Sequence, residues 1–283
     1  MSQIFCLEFV MKRLLTIILC AAAMLSACAS GASVTTPDEA AAATPDAITV
    51  TTPDEPPTEA PTEPPTDPPS LKELAEKRSD EIISGELSCD KASVSVPEVY
   101  QSPELPTGCE SVALTIAIRS YGYELNKTDI ASKYLVYGDD YITAFVGSPF
   151  RWGGAGIYPP GLVKTAQNYV NDTGAEIYPV DTTDTSMDDL YKFIDSGIPV
   201  VVWTTYYMSY PRLESGRTYQ GHTYSWYINE HCVCLFGYDQ KDGTVKISDP
   251  QRGKITVSAK DFAEIYDAIG RMSMVLIPTE GLS

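Results

Sequence analysis

The chain has 283 residues, a formal net charge of −18 and a pI near 4.4. So acidic a balance excludes a nucleic-acid partner, because phosphate binding needs clustered Lys and Arg. With 43% hydrophobic and 10% aromatic residues, the chain can still bury a sizeable core.

The leader comes first. Lys12 and Arg13 precede an apolar run from Leu14 to Met24, too short to span a bilayer as a mature helix. Leu25-Ser26-Ala27-Cys28 follows and resembles a bacterial lipobox. Residues 1–28 are therefore expected to be a lipoprotein signal peptide, with Cys28 diacylated as the new N-terminus. Met11 is the better start, since it leaves a short basic n-region. A plain secretory signal cleaved near Ala29 or Ser30 is the alternative. Both readings put the protein outside the cytoplasm, and the lipobox reading tethers it to the extracellular face of the membrane.

Residues 29–70 hold ten of the 21 prolines, eight acidic residues and no Lys or Arg. Thr35-Thr36-Pro37-Asp38-Glu39 recurs as Thr51-Thr52-Pro53-Asp54-Glu55. Such a segment has little to bury and repels itself, so a disordered, extended linker is expected. Residues 71–283 then form one globular domain, with 18 basic against 29 acidic residues.

Within that domain the elements read as follows. Leu71–Ser84 is a charged helix. Ser111–Tyr121 is a helix with Val112, Ala113, Ile116 and Ala117 on one stripe, stopped by Gly122. Thr128–Leu135 is a short helix capped by Thr128, and Gly161–Val170 a helix after Pro159-Pro160. Ser186–Ser196 opens with the capping pattern Ser186-x-x-Asp189 and ends at Gly197. Ile198–Thr205 is a continuous β-branched run, read as a central strand. Strands Cys232–Phe236, Thr244–Ser248, Lys254–Val257 and Met272–Ile277 follow, with a helix over Ser258–Ala268. Helices first and an antiparallel sheet later give an α+β fold.

Pro106-Thr107-Gly108-Cys109-Glu110 places a cysteine at a helix start after a glycine. Backbone N–H groups and the helix dipole there favour a thiolate, so a lowered pKa is expected. The other domain cysteines are Cys89, Cys232 and Cys234. Two disulfides are one possibility; a His231-Cys232-x-Cys234 metal site lacks a second ligand pair. Cys232 and Cys234 share one face of a strand, where core packing is the default.

The two histidines of the chain are His222 and His231. His231 opens the run Cys232–Tyr238, and the chain returns through Thr244–Asp249. If the hairpin is centred near Gln240, Asp249 lies opposite His231 and can orient the imidazole. If Asp242-Gly243 is a two-residue turn, Asp249 falls opposite Phe236. A cysteine nucleophile with a histidine base needs such a third group. His222 is the alternative base. Tyr206–Tyr227 is rich in aromatics and reads either as a cleft wall or as a surface loop. Phe150-Arg151-Trp152-Gly153-Gly154 is a candidate lid on the strength of its glycines.

Gln101 to Glu110, His231 before a strand ending Gly237-Tyr238-Asp239, and Ser248-Asp249-Pro250 together resemble a papain-like group: the bacteriocin-processing, double-glycine-leader peptidases, and more closely their stand-alone exported relatives. Gly156-Ile157-Tyr158-Pro159-Pro160 and Gly197-Ile198-Pro199-Val200 fit the same pattern, which spans nearly all of residues 95–277. The resemblance implies a papain-like cysteine peptidase fold, with the nucleophile at a helix N-terminus packed on a C-terminal sheet. It further implies Cys109 as nucleophile, His231 as base, Asp249 as orienting acid and Gln101 as an oxyanion donor beside the Cys109 backbone N–H. No metal or other cofactor is implied. Glu110 stands where the transporter-linked enzymes usually carry glycine, and Gln101 lies slightly farther upstream than theirs. No Walker motif or transmembrane helix accompanies the domain, so transport-coupled leader processing is not implied. The expected function is amide-bond hydrolysis in a peptide. A peptidoglycan stem peptide as substrate, acyl transfer on the same triad, and a non-catalytic binding module are the alternatives.

Overall fold

The computed structural model describes residues 68–282. The signal peptide with Cys28, and residues 29–67 of the linker, lie outside the described residues.

Helix α1 (Leu71–Ser84) begins with a complete capping box: Ser70 Oγ accepts from the Glu73 N–H, and the Glu73 carboxylate accepts from the Ser70 N–H. Strand β1 (Lys91–Ser93) follows, then α2 (Cys109–Ser120), a single π-helical turn (Ile130–Tyr134) and α3 (Pro159–Thr173). Next come β2 (Ile177–Asp181), α4 (Met187–Asp195), β3 (Val200–Thr205) and a 3₁₀ turn at Tyr206–Met208. The remainder is β4 (Leu213–Tyr219), β5 (His222–Tyr227), β6 (Glu230–Asp239), β7 (Thr244–Asp249), β8 (Gly253–Ser258), α5 (Ala259–Ala268) and β9 (Ser273–Pro278). No described helix is long and apolar enough to cross a membrane.

The main sheet runs β2-β9-β3-β6-β7-β8, antiparallel throughout, with β1 also pairing β6. It is buried on both faces. Val201, Trp203, Cys232 and Cys234 face a cluster built with α2 and α3. Val200, Val202, Val233 and Leu235 face a second cluster built with α1, α4 and α5. This period-two split is why Ile198–Thr205 reads as one unbroken apolar run. The α+β class holds, and the helices cover both faces of the sheet.

Three expectations need correction. Helix α2 buries every residue from Cys109 to Ile118 rather than one stripe, because it is the central helix of its cluster. The helix expected over 128–135 is a π-helical turn at 130–134, and the Thr128 side chain does not cap it. Tyr206–Tyr227 is no irregular loop: most of it is a two-stranded β4-β5 sheet. β1 and β2 were not expected at all.

Candidate active site

Gly108 ends the approach to α2. A Cβ there would sit 3.0 Å from Leu105 and 3.1 Å from Pro149, so any larger residue would have to push those side chains aside. Cys109 therefore begins the helix with its thiol 4% exposed. It is not poised as a thiolate. Burial, then the carboxylates of Glu110 and Glu230, push the thiol well above its ordinary pKa, and the Cys232 backbone N–H opposes them only weakly. This overturns the expected lowered value: at this helix start, desolvation and two acids outweigh the dipole. Sγ lies 3.3 Å from Glu110 Oε2 and donates to it.

His231, 1% exposed, opens the deep part of β6. Its Nε2 lies 2.8 Å from Asp249 Oδ1, at the end of β7. Neither anticipated register produces this pair. The ladder pairs Cys234 with Ser248 and, across a bulge at Phe236, Gly237 with Lys246. Continued one step, it sets Asp249 opposite Val233, so His231 reaches it diagonally. Asp249 also accepts from the Gln251 N–H at 2.8 Å and from Arg252 Nε at 2.6 Å. Burial alone would raise its carboxyl, but these hydrogen bonds and the His231 charge hold it well below its usual range. Tyr206 lies flat on the imidazole, with ring centroids 4.7 Å apart and planes inclined by 19°. His231 Nδ1 is buried with no hydrogen-bond partner.

Cys109 and His231 are not hydrogen-bonded to each other; the thiol is taken by Glu110. Tyr206 connects the two, stacking on His231 and lining the same cavity as Cys109. That cavity, of about 360 Å³, is walled by Pro106, Thr107, Trp152, Trp226, Tyr227 and Glu230 among others. The aromatic stretch thus supplies a cleft wall, and Trp152 of the glycine-bearing segment supplies the facing one. Thr107 Oγ1 ties that segment to the nucleophile turn through the carbonyls of Ser148 and Arg151, at 3.1 and 3.0 Å.

Gln101 is fully buried near the nucleophile turn, and its Nε2 donates to the Pro106 carbonyl at 2.9 Å. The amide has a second N–H proton. His222 pairs with Asp184 at 2.9 Å, from the β5 end of the small sheet, and does not line the Cys109 cavity. All four domain cysteines are free, so the two-disulfide alternative is not formed. Cys232 and Cys234 are core residues, as expected.

Sequence reasoning missed Glu230 and Arg252, and read Glu110 only as a departure from a family pattern. The sulfur of Cys109 and one oxygen each of Glu110 and Glu230 lie within 4.8 Å of one another. Glu110 Oε1 accepts from the Ile157 N–H at 2.9 Å. Burial raises both acids, Glu110 to about 7, and the Glu110 charge raises Glu230 further. The signal available in the sequence was an acid directly beside each of Cys109 and His231.

A profile described as Peptidase_C39 like family matches residues 93–274. The chain belongs to this family. The Bacillus subtilis protein YvpB, described as uncharacterized, is 26% identical over 185 residues, covering 62% of this chain and 71% of its own. The crystal structure of a protein assigned as a C39-like peptidase from Bacillus anthracis aligns with TM-score 0.56 and 27% identity, over 66% of this chain and 97% of that one. A double-glycine-motif protease of an AMS/PCAT transporter, solved with its leader peptide, aligns at TM-score 0.38 and 15% identity, over 66% of this chain and 92% of its own. The fold is that of the papain-like C39 peptidases, and membership in the C39-like family suggests cysteine peptidase activity.

Proposed function

We propose that this C39-like protein is a surface-tethered cysteine peptidase that hydrolyses an amide bond of a peptide through Cys109, His231 and Asp249. The observation that carries the assignment is the buried His231–Asp249 pair, 2.8 Å apart, roofed by a tyrosine that also lines the Cys109 cavity. With Nε2–H donating to Asp249, the lone pair of Nδ1 is left free to take a proton. Hydrogen bonds between catalytic groups often form only once substrate is bound.

The steps follow from these positions. On substrate binding Sγ exchanges Glu110 for His231 Nδ1 and gives up its proton. The thiolate attacks the scissile carbonyl carbon, and the oxyanion is met by the Cys109 backbone N–H and by the second Nε2 proton of Gln101. The C–N bond breaks as the imidazolium protonates the leaving amine, which leaves a thioester on Cys109. His231 then takes a proton from water; the resulting attack releases the acid and restores the thiol.

The tether is part of the proposal: an acylated Cys28 followed by a Pro- and acid-rich stalk would hold the domain outside the membrane, within reach of secreted peptides and of cell-wall stem peptides. Cys28→Ala should release the protein from the membrane fraction into the medium, whereas retention in the membrane would remove the lipid anchor from this account.

The chemical test is alkylation and turnover with the same preparations. Wild type should cleave members of a fluorogenic peptide set, and Cys109→Ala and His231→Ala should lose cleavage by about 10³-fold or more. A peptidyl acyloxymethyl ketone built on a cleaved sequence, which occupies the cleft as a substrate does, should label Cys109 in wild type far faster than in His231→Ala. A Cys109 whose labelling by that reagent ignores His231, in a protein that cleaves nothing, would leave a binding module instead.

A further inference from the structure

Two buried acids beside a nucleophile are costly to keep, and although Glu110 is hydrogen-bonded to the Ile157 N–H and the Cys109 thiol, neither acid meets a positive charge among the described residues. No described Lys or Arg forms an ion pair with Glu110 or Glu230. Glu230 is 7% exposed, lines the Cys109 cavity, and its Oε1 has no hydrogen-bond partner. Gly156 crowds the two acids together: a Cβ there would collide with Glu110 Oε1 and come within 3.1 Å of Trp226 and 3.3 Å of Glu230 Oε2. Trp226, Tyr227, Tyr206 and Trp152 line the same cavity. Aromatic faces around a desolvated carboxylate are the environment that binds an organic cation.

We infer that the Cys109 cavity is a subsite for an ammonium group of the substrate, a lysine-type side chain, held by Glu230 and Glu110 within the aromatic wall. The inference rests on the peptidase reading above and names its substrate class. An ammonium suits the site better than a guanidinium. It is a compact charge with three donors, which fits one free oxygen beside a neighbouring carboxylate, whereas a guanidinium asks for a planar fork.

The subsite also acts on the chemistry. The groups facing Sγ are Glu110 on α2, Glu230 and Cys232 on β6, and Tyr206 after β3; none supplies a positive charge, and the two carboxylates disfavour the thiolate. An ammonium seated between the acids offsets them. The thiol then loses its hydrogen-bond acceptor to the cation. Glu110 and Glu230 are thus positioning and recognition groups that keep the thiol quiet until a cationic substrate arrives.

The test separates binding from turnover. Cys109→Ala protein is titrated by calorimetry, with chelator present, against peptides that differ only by lysine, norleucine or arginine at one position. The lysine peptide should bind at least about 10-fold more tightly than its norleucine isostere and ahead of arginine. Glu230→Gln and Glu110→Gln in the same background should each shrink the lysine-to-norleucine ratio. Equal affinities, or binding of neither peptide, overturn the subsite. Wild-type cleavage that is blind to lysine overturns it while leaving the peptidase intact. Loss of the hydrolase reading itself shows separately, as labelling of Cys109 by a substrate-like peptidyl electrophile that is indifferent to His231.

Discussion

Tyr206 and His231 are stacked almost parallel, and Tyr206 belongs to a turn whose next two residues, Tyr207 and Met208, both adopt positive φ. A left-handed backbone at two successive non-glycine residues costs roughly 1–3 kcal/mol each and persists only where surrounding contacts impose it. Arg252 packs on the ring of one of them. It lies 5.0 Å from the centroid of the Tyr207 ring while its Nε holds Asp249. The turn, the imidazole and the carboxylate are therefore fixed as one assembly, and the ring above His231 sets the plane in which Nδ1 points.

Tyr206→Phe should keep most activity, because stacking needs the ring and not the hydroxyl. Tyr206→Ala should lower kcat/KM by about 10- to 100-fold, through an imidazole that samples other planes. Steady-state kinetics on one fluorogenic peptide decides between them. Equal loss in both variants would mean that the hydroxyl, not the stack, matters.

The Asp249 variants separate orientation from charge. Asp249→Asn still offers a side-chain oxygen to Nε2–H, whereas Asp249→Ala offers nothing and leaves Arg252 without its buried partner. The asparagine variant should therefore be the milder change, and Asp249→Ala should reduce kcat/KM by about 10²–10⁴-fold. The Asp249 carboxyl is held below its usual range, so its contribution to stability is present above the ordinary value and is lost as pH falls through the folded one. Acid unfolding monitored by circular dichroism should accordingly begin at higher pH in Asp249→Ala than in wild type.

How much of this was legible in the sequence differs residue by residue. The caps at Ser186 and Ser258 were readable because capping is local: each Oγ accepts from the N–H three residues on, at 3.2 Å in both cases. The run Val200–Thr205 announced a buried central strand through composition alone. The His231–Asp249 register was not readable. It depends on a bulge at Phe236, whose carbonyl is bound by the Val94 N–H from a segment far upstream in the chain. The thiol's environment was not readable either. Helix-start chemistry is local and favours a thiolate, but Glu230 arrives from β6 and burial arrives from the whole α2 cluster. The β4-β5 pair was hidden because Leu213–Tyr219 is exposed along nearly its whole length, and an exposed strand carries no apolar alternation to read.

Free Cys109 should behave as a protected thiol. Burial and the two acids raise its pKa, so iodoacetamide alkylation in the absence of substrate should stay slow through neutral pH and accelerate only on the alkaline side of an ordinary cysteine. Glu110→Gln removes one negative neighbour and should move the whole rate profile to lower pH. Mass spectrometry of the α2 peptide against pH gives the profile, with exposed Cys89 as the internal comparison. A Cys109 that alkylates fastest near neutrality in the free protein would show that the dipole of α2, and not burial, governs this thiol.

Glu110 also gives the protein a pH-dependent stability of predictable sign. Burial lifts its carboxyl from 4.5 to about 7, so the folded state binds the proton more tightly than the unfolded chain does. The stability from this group is complete below the unfolded value and is lost as pH rises through the folded one, a change on the order of 3 kcal/mol across that window. Glu230 is raised by burial too and extends the loss to higher pH. Urea unfolding midpoints should therefore fall for wild type between about pH 5 and 8, while Glu110→Gln, which cannot ionise, should fall less over the same range. Glu110→Gln still accepts from the Ile157 N–H through its amide oxygen, so the comparison isolates the charge. A wild-type midpoint that is flat from pH 5 to 8 would mean that the acid pair reaches water or a cation in solution, and the buried proton would have to be abandoned.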